Sequence, residues 1–308
     1  MGLRLLVATV ATAVLVAGCG GSGAGSSGLA PLPVGLGTGC PEPSTALRFP
    51  EGDLPAGATR VRLCPGPPLT NYDGTAAFVD VQGPADLLTT DVDELVTLVN
   101  DQADADGDLV CSSDGGPEVA YWFGYGDGDW RAVQHGSYGC DVLRVGHRDR
   151  RLGGDDLALA FTEALLAQRA EADPPDTTPA VRCLAPHHTP RTALARADLD
   201  VASALRCVST RPGTVRTATL PAELVAQVNA ELWPGVTQRS RQSCWTGNGE
   251  WIEGVTAWGD LVAWAIDPCG RLYVMHGGSL LPDDHRYLSA GLDAALASLP
   301  LGPSERQY

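Results

Sequence analysis

The chain has 308 residues, of which 44% are hydrophobic and 19% charged, a composition typical of globular rather than disordered proteins. Its 37 acidic residues outnumber 21 basic ones, all of them Arg, so the formal net charge is −16. This negative charge disfavours nucleic acid as a partner, and the lack of Lys excludes phosphate-loop, Schiff-base and Ser-x-x-Lys chemistry.

The N-terminus has the parts of an export signal. Arg4 provides one positive charge, and an apolar run over 5–16, too short to span a bilayer, leads into Val16-Ala17-Gly18-Cys19. These four residues resemble the lipobox of bacterial lipoproteins. The resemblance implies that a signal peptide, 1–18, is removed and that Cys19 carries lipid, including palmitate. It also implies an anchor on the extracytoplasmic face of the cell membrane, where two or more acyl chains hold a protein firmly.

Eight further cysteines form two sets with similar spacing. An even number of cysteines in an exported chain indicates disulfide bonds. The first two members are 24 residues apart in both sets, and the last two are 29 and 25 apart: Cys40, Cys64, Cys111 and Cys140, then Cys183, Cys207, Cys244 and Cys269. We expect the first to pair with the second and the third with the fourth, although three connectivities remain open in each set.

A matched segment indicates an internal duplication. Glu, Leu, Val, Val and Asn recur at an offset of 129 between residues 93–100 and 222–229, the offset that also relates Cys140 to Cys269. A Pro-rich stretch then separates the two copies.

The chain is therefore expected to divide into five parts after the signal. These are the lipidated Cys and its flexible Gly/Ser/Pro tether at 19–39, an acidic first domain at 40–173, a linker at 174–180, a second domain at 181–302 and a tail at 303–308.

In the first domain, hydrophobic periodicity predicts two helices among short strands. The strands are expected at 59–64, 76–81, 109–111, 119–125, 130–135 and 141–146, with a hairpin loop at 126–129. One helix is expected at 91–100, begun by a capping box of Asp91 and Glu94. The other is expected at 155–169, behind the pair Asp155-Asp156.

The second domain is expected to repeat this order. Strands are predicted at 204–207, 250–258, 261–266 and 271–276, a helix begins near Pro221, and another runs from about 283 to 299 behind Asp283-Asp284. The predicted fold class is α+β: a tandem duplication of a disulfide-bonded domain, each copy a short-stranded, mainly antiparallel sheet with two helices.

Two histidine motifs are candidates for a catalytic or a metal site. His135 and Ser137 place a base and a hydroxyl close together, but the segment lacks the Gly-x-Ser-x-Gly pattern, and we expect an exposed His beside a turn Ser. His187 and His188 lack further metal ligands and are expected to be loop residues. No catalytic residue and no cofactor is predicted.

Two other residue sets each allow a binding interpretation and a structural one, and the structural one is preferred. The tryptophans of the predicted strands are expected to be sheet core rather than a sugar-stacking row, and they are Trp122, Trp130, Trp251, Trp258 and Trp264. Asp104, Asp106 and Asp108 around Gly107 resemble the centre of a calcium loop. Because Gln102 and Ser113 occupy the terminal ligand positions, a solvated acidic loop is preferred.

Three functions are compatible with these patterns. The preferred one is a membrane-anchored, non-catalytic binding or interaction module of the cell envelope, whose partner is a protein, a glycan or a lipid. The alternatives are a hydrolase of envelope polymer or lipid, and a structural spacer.

Overall fold

The computed structural model describes residues 40, 52–66, 81–105, 118–136, 141–145, 149–176, 180–183, 191–194, 199–211, 213–232, 249–266, 271–276 and 279–306. These residues form an α+β structure with disulfide bonds, as the sequence predicts. An antiparallel sheet of five strands and another of seven are joined by a parallel pair of strands, and four α-helices pack with them. None of the helices in these ranges is long and apolar enough to cross a membrane.

The first half contains the five-stranded sheet and two helices. Its elements are β1 (Arg60–Pro65), β2 (Val81–Gln82), α1 (Val92–Asp101), β3 (Glu118–Gly124), β4 (Trp130–Gly136), β5 (Val142–Val145), β6 (Asp149–Leu152) and α2 (Gly154–Ala170). The strand order is β1-β3-β4-β5-β6, and all neighbours are antiparallel. The predicted hairpin loop is a 3-10 turn at Gly126–Gly128, between β3 and β4.

The second half contains the seven-stranded sheet and the other two helices. Its elements are β7 (Arg191–Thr192), β8 (Val201–Arg211), β9 (Thr214–Thr219), α3 (Ala222–Leu232), β10 (Glu250–Thr256), β11 (Leu261–Ile266), β12 (Arg271–His276), β13 (Ser279–Tyr287), α4 (Ala290–Ser298) and β14 (Glu305–Arg306). The strand order is β13-β12-β11-β10-β8-β9-β14.

The helices of the first half cover one face of its sheet. Helix α1 buries the stripe that its sequence period predicts: Val92, Leu95, Val96 and Val99. Helix α2 buries Leu157, Phe161 and Leu165, and the Phe161 ring meets Tyr121 of β3 edge to face, 5.4 Å between centroids. The core is therefore a layer of apolar side chains between the two helices and the sheet.

The disulfide bonds lie on the other face of each sheet. Cys40 is bonded to Cys64 of β1, which packs beside the buried Trp122. Cys183 is bonded to Cys207 of β8, which packs beside the buried Trp251. The pairing of first with second cysteine is thus confirmed in both sets. The third and fourth cysteines lie outside the described residues, so their pairing stays a prediction.

The apolar side chains of both halves belong to one core cluster, and among the described residues two polar contacts also join the halves. The first is backbone pairing, because β2 of the first half runs parallel to β7 of the second. The second is an ion cluster centred on Arg169 of α2, whose side chain is 4% exposed. The Arg169 guanidinium donates to Asp86 at 2.7 and 2.9 Å and to Asp260, in the turn between β10 and β11, at 2.7 and 3.3 Å. It also lies 5.1 Å from the ring centroid of Trp258.

The structure corrects the predicted starts of two helices. Asp91 precedes α1, but its φ of 54° is left-handed and its side chain makes no capping hydrogen bond, so the capping box is wrong. Asp283 and Asp284 lie in strand β13, and α4 begins only after Ser289. The Ser289 hydroxyl accepts from the Leu292 N–H, which makes it the N-cap.

The N-cap of α4 is itself held by α3. The Glu231 carboxylate accepts hydrogen bonds from the Ser289 hydroxyl at 2.7 Å and from the Ser289 backbone N–H at 3.0 Å. These contacts place the start of α4 six residues beyond the predicted acidic pair. The predicted tail is also partly structured, because Glu305 and Arg306 pair with β9.

Candidate functional site

His135, near the end of β4, is buried instead of exposed. Its Cα partners are Val119 of β3 and Leu143 of β5, so its side chain shares the helix-covered face of the sheet with these two apolar residues. Only 4% of the residue is exposed. The prediction of an exposed His is therefore wrong, because α2 begins directly above this part of the sheet.

Two carboxylates converge on the imidazole. Asp141 immediately precedes β5, and Asp155 lies in the first turn of α2. The Oδ1 atoms of Asp141 and of Asp155 are each 3.6 Å from the His135 Nε2, and the three atoms lie within 4.8 Å of one another. The Asp155 side chain is 73% exposed and that of Asp141 41%, so this His135 cluster is open to solvent on its carboxylate side.

The backbone around this cluster is unusual. Asp141 has a φ of 51°, a conformation that costs of order 1–3 kcal/mol for a residue with a side chain. Its Oδ1 accepts from the Asp155 N–H, and its carbonyl accepts from the Gly154 N–H, so Asp141 caps helix α2 from outside the helix. A Cβ at position 154 would overlap the imidazole of His135, so only glycine fits there.

The electrostatics of the cluster favour a neutral imidazole. Burial lowers the pKa of His135, against the opposing effects of Asp155 and Asp141. The pKa of Asp141 is raised, mainly by burial and further by the charge of Asp155. The hydrogen bond from the Asp155 backbone and the nearby His135 oppose this increase. Near neutral pH the cluster thus presents an imidazole nitrogen and carboxylate oxygens to one point, an arrangement suited to cation binding or to proton transfer.

Among the described residues, the His135 Nε2 atom has no hydrogen-bond partner although it is buried. The two 3.6 Å separations are too long for hydrogen bonds. A buried polar nitrogen without a partner is costly and calls for an explanation in a folded protein.

The structure describes only some of the residues singled out by sequence. Asp104 is exposed and forms a backbone bridge with Arg151 of β6, whereas Asp106 and Asp108 lie outside the described residues, so the preference for a solvated acidic loop over a calcium loop stays a prediction. Four other residues also lie outside them: Cys19, the predicted lipidation site, Ser137, and the pair His187 and His188. The hydrolase alternative based on His135 and Ser137 therefore stays untested.

The tryptophan prediction holds where the side chains are buried. Trp122, Trp251 and Trp264 are 5% exposed or less and belong to the cores of the two sheets. Trp130 is half-buried above Arg60, 4.9 Å from its guanidinium carbon, and Trp258 stacks with Arg169.

Sequence reasoning did not connect His135 with Asp141 and Asp155. The one local signal is Gly153-Gly154 before Asp155, because two glycines at a helix start mark a close backbone approach.

A separate shallow groove of about 440 Å³ lies at the start of α1. The exposed acids Asp91, Asp93 and Glu94 line it.

No protein-family model, curated protein or solved structure matches this chain.

Proposed function

We propose that this chain is an exported lipoprotein, tethered to the outer face of a membrane by lipid on Cys19, and that it works there as a non-catalytic binding module of the cell envelope. Its body would consist of two diverged copies of one disulfide-bonded unit. The two disulfides of the described residues support export, because such bonds persist in oxidising compartments.

Sheet connectivity supports the duplication. The order β1-β3-β4-β5-β6, with α1 between β1 and β3 and α2 after β6, recurs as β8-β10-β11-β12-β13, with α3 between β8 and β10 and α4 after β13. In each half the second of the two bridged cysteines lies in the first strand of this order: Cys64 in β1 and Cys207 in β8. The sheet of the second half is extended beyond β8 by β9 and β14.

A pair of asparagines supports it independently. The Asn100 side chain accepts from the Leu54 N–H at 2.8 Å and donates to the Leu54 carbonyl at 2.9 Å. Asn229 makes the same pair of bonds with Val201, at 3.1 and 3.0 Å. These are the two asparagines that the offset of 129 relates. Each binds its helix to the backbone at or before the strand that contains the bridged cysteine, β1 in the first half and β8 in the second.

The binding role rests on the charge difference between the halves. Residues 40–176 contain 9 Arg and 25 acids, whereas residues 177–308 contain 11 Arg and 12 acids. If both halves share one framework, the acidity of the first is a property of its surface rather than of the fold. A partner that carries positive charge would meet the first half, and its groove beside Asp91, Asp93 and Glu94 is the concave part of that surface.

The anchor is tested with Cys19→Ala. In cells fed a labelled fatty acid, the unchanged chain should take up label and sediment with membranes, whereas the variant should do neither. Label retained by the variant would refute the lipobox interpretation.

The binding role is tested by titrating the purified protein into a labelled Arg-rich peptide and following fluorescence anisotropy. Replacing the three groove acids by their amides should weaken binding about tenfold or more. The matched control removes three exposed charges of the same half, Glu171, Asp173 and Asp176, and should change binding less. Equal losses would indicate only general charge attraction.

A further inference from the structure

We propose that His135, Asp141 and Asp155 bind one divalent transition-metal ion, with Zn²⁺ the best fit. The observation behind this inference is the buried Nε2 of His135, which has no hydrogen-bond partner and faces two carboxylate oxygens.

The separations match a coordination sphere. Zn²⁺ binds His nitrogen and carboxylate oxygen at about 2.0–2.2 Å, so two of its ligands at a tetrahedral angle lie roughly 3.3–3.5 Å apart. The two nitrogen–oxygen separations of the cluster are 3.6 Å. The two carboxylate oxygens lie within 4.8 Å of each other, and rotation of the exposed Asp155 side chain would bring its oxygen closer to that of Asp141 around one ion.

The ligand types select the class of metal. Ca²⁺ and Mg²⁺ take oxygen ligands, whereas an imidazole nitrogen suits Zn²⁺ and its transition-metal neighbours. Three protein ligands leave a fourth position of a tetrahedral ion open. The open position would face solvent, because both carboxylates are partly exposed while the imidazole is not.

The surroundings favour a cation over an anion. The Gly154 and Asp155 N–H groups, which would hold an anion at the start of α2, both donate to Asp141. The two carboxylates would repel a bound anion, and a divalent ion would instead relieve their mutual repulsion. The backbone of Gly154 against the imidazole fixes the ring, so the geometry of the ligand set is prepared by the fold.

The test is calorimetric titration of the purified, chelator-treated full-length mature protein with Zn²⁺. One ion per chain is expected. Asp155→Asn and Asp141→Asn should each lower the affinity about tenfold or more, by analogy with the loss of supporting groups in metal sites. The amide in Asp141→Asn still offers an oxygen to the start of α2, so the fold should persist. Asp156→Asn, the matched control in the same helical turn, should change the affinity less than about twofold.

A second readout is thermal unfolding. Zn²⁺ at about 100 times its Kd for the unchanged protein should raise the Tm of that protein and of Asp156→Asn by about 5 °C, and the Tm of Asp155→Asn by about half as much or less. Ca²⁺ or Mg²⁺ at the same concentration should not reproduce the shift. A variant with His187→Ala and His188→Ala should bind like the unchanged protein. Loss of binding in that variant, unchanged affinity in Asp155→Asn, or no Zn²⁺ binding at all would each overturn the proposal.

Discussion

Replacing Arg169 by Met should destabilise the protein more than any other single charge removal at the junction of its halves. Without the guanidinium, the buried Asp260 side chain, 1% exposed, and the part-buried Asp86 side chain, 22% exposed, would both lose their cation. Breaking a buried ion pair by removing one partner costs about 3–5 kcal/mol, and here one cation serves two anions. We expect a loss in this range for Arg169→Met.

Asp260→Asn should cost less, about 1–3 kcal/mol, because Arg169 keeps its paired bonds to Asp86 and the amide still offers an oxygen to the hydroxyl of Thr256. In the double variant the two losses should not add. The shortfall, of about 1 kcal/mol or more, would measure the coupling between helix α2 of the first half and the β10–β11 turn of the second.

Urea unfolding followed by circular dichroism measures these losses. The matched control is Arg131→Met, which removes a surface pair with Asp129 at 3.0 Å and should cost less than about 1 kcal/mol. A loss no larger for Arg169→Met than for Arg131→Met would show that the junction is not built around a buried charge.

Two further predictions concern helix contacts. Asn100→Ala and Asn229→Ala should each lower the free energy of unfolding in urea by about 1–3 kcal/mol, since each removes two hydrogen bonds to a part-buried backbone. A loss at only one of the two sites would count against equivalent roles. Partial burial acts to raise the pKa of Glu231, but the Ser289 hydroxyl, Gln227 and the Ser289 N–H hold it below its ordinary value, 4.5. Its contribution is thus present above that value and lost as pH falls through the folded pKa, so Glu231→Gln should lower Tm at neutral pH, and the difference should shrink as the pH falls below 4.5.

Sequence periodicity located the elements that have one buried face or a clear loop. The stripe of α1, the β3–β4 hairpin and strands β11 and β12 were predicted within a residue or two, because helical spacing is visible in α1 and Gly- or Asp-containing turns bound the short strands. Strand β9, by contrast, has Thr at three of its six positions and was not predicted, since its place in the sheet depends on pairing with β8.

The burial of His135 shows why the candidate site was not predictable. Residues 132–135 of β4 are all buried, since the disulfide and Trp122 cover one face of the sheet and helices cover the other. A strand covered on both faces has no polar–apolar alternation, so its sequence does not reveal which side chains face the helices. Asp141 and Asp155 reach His135 only because β5 and the start of α2 return to the end of β4, which is a tertiary event.

The Cys40–Cys64 bond also determines how a mechanical load enters the molecule. A pull on the chain that precedes Cys40 reaches Cys64 through the sulfur atoms, so the intervening residues form a closed loop that bears none of the tension. Force arrives directly in β1, which is hydrogen-bonded along its length to β3. Reducing this one bond would insert that loop into the loaded path. If the chain before Cys40 were held, the folded body would then stand farther from the held point by up to about 3.3–3.6 Å for each released residue.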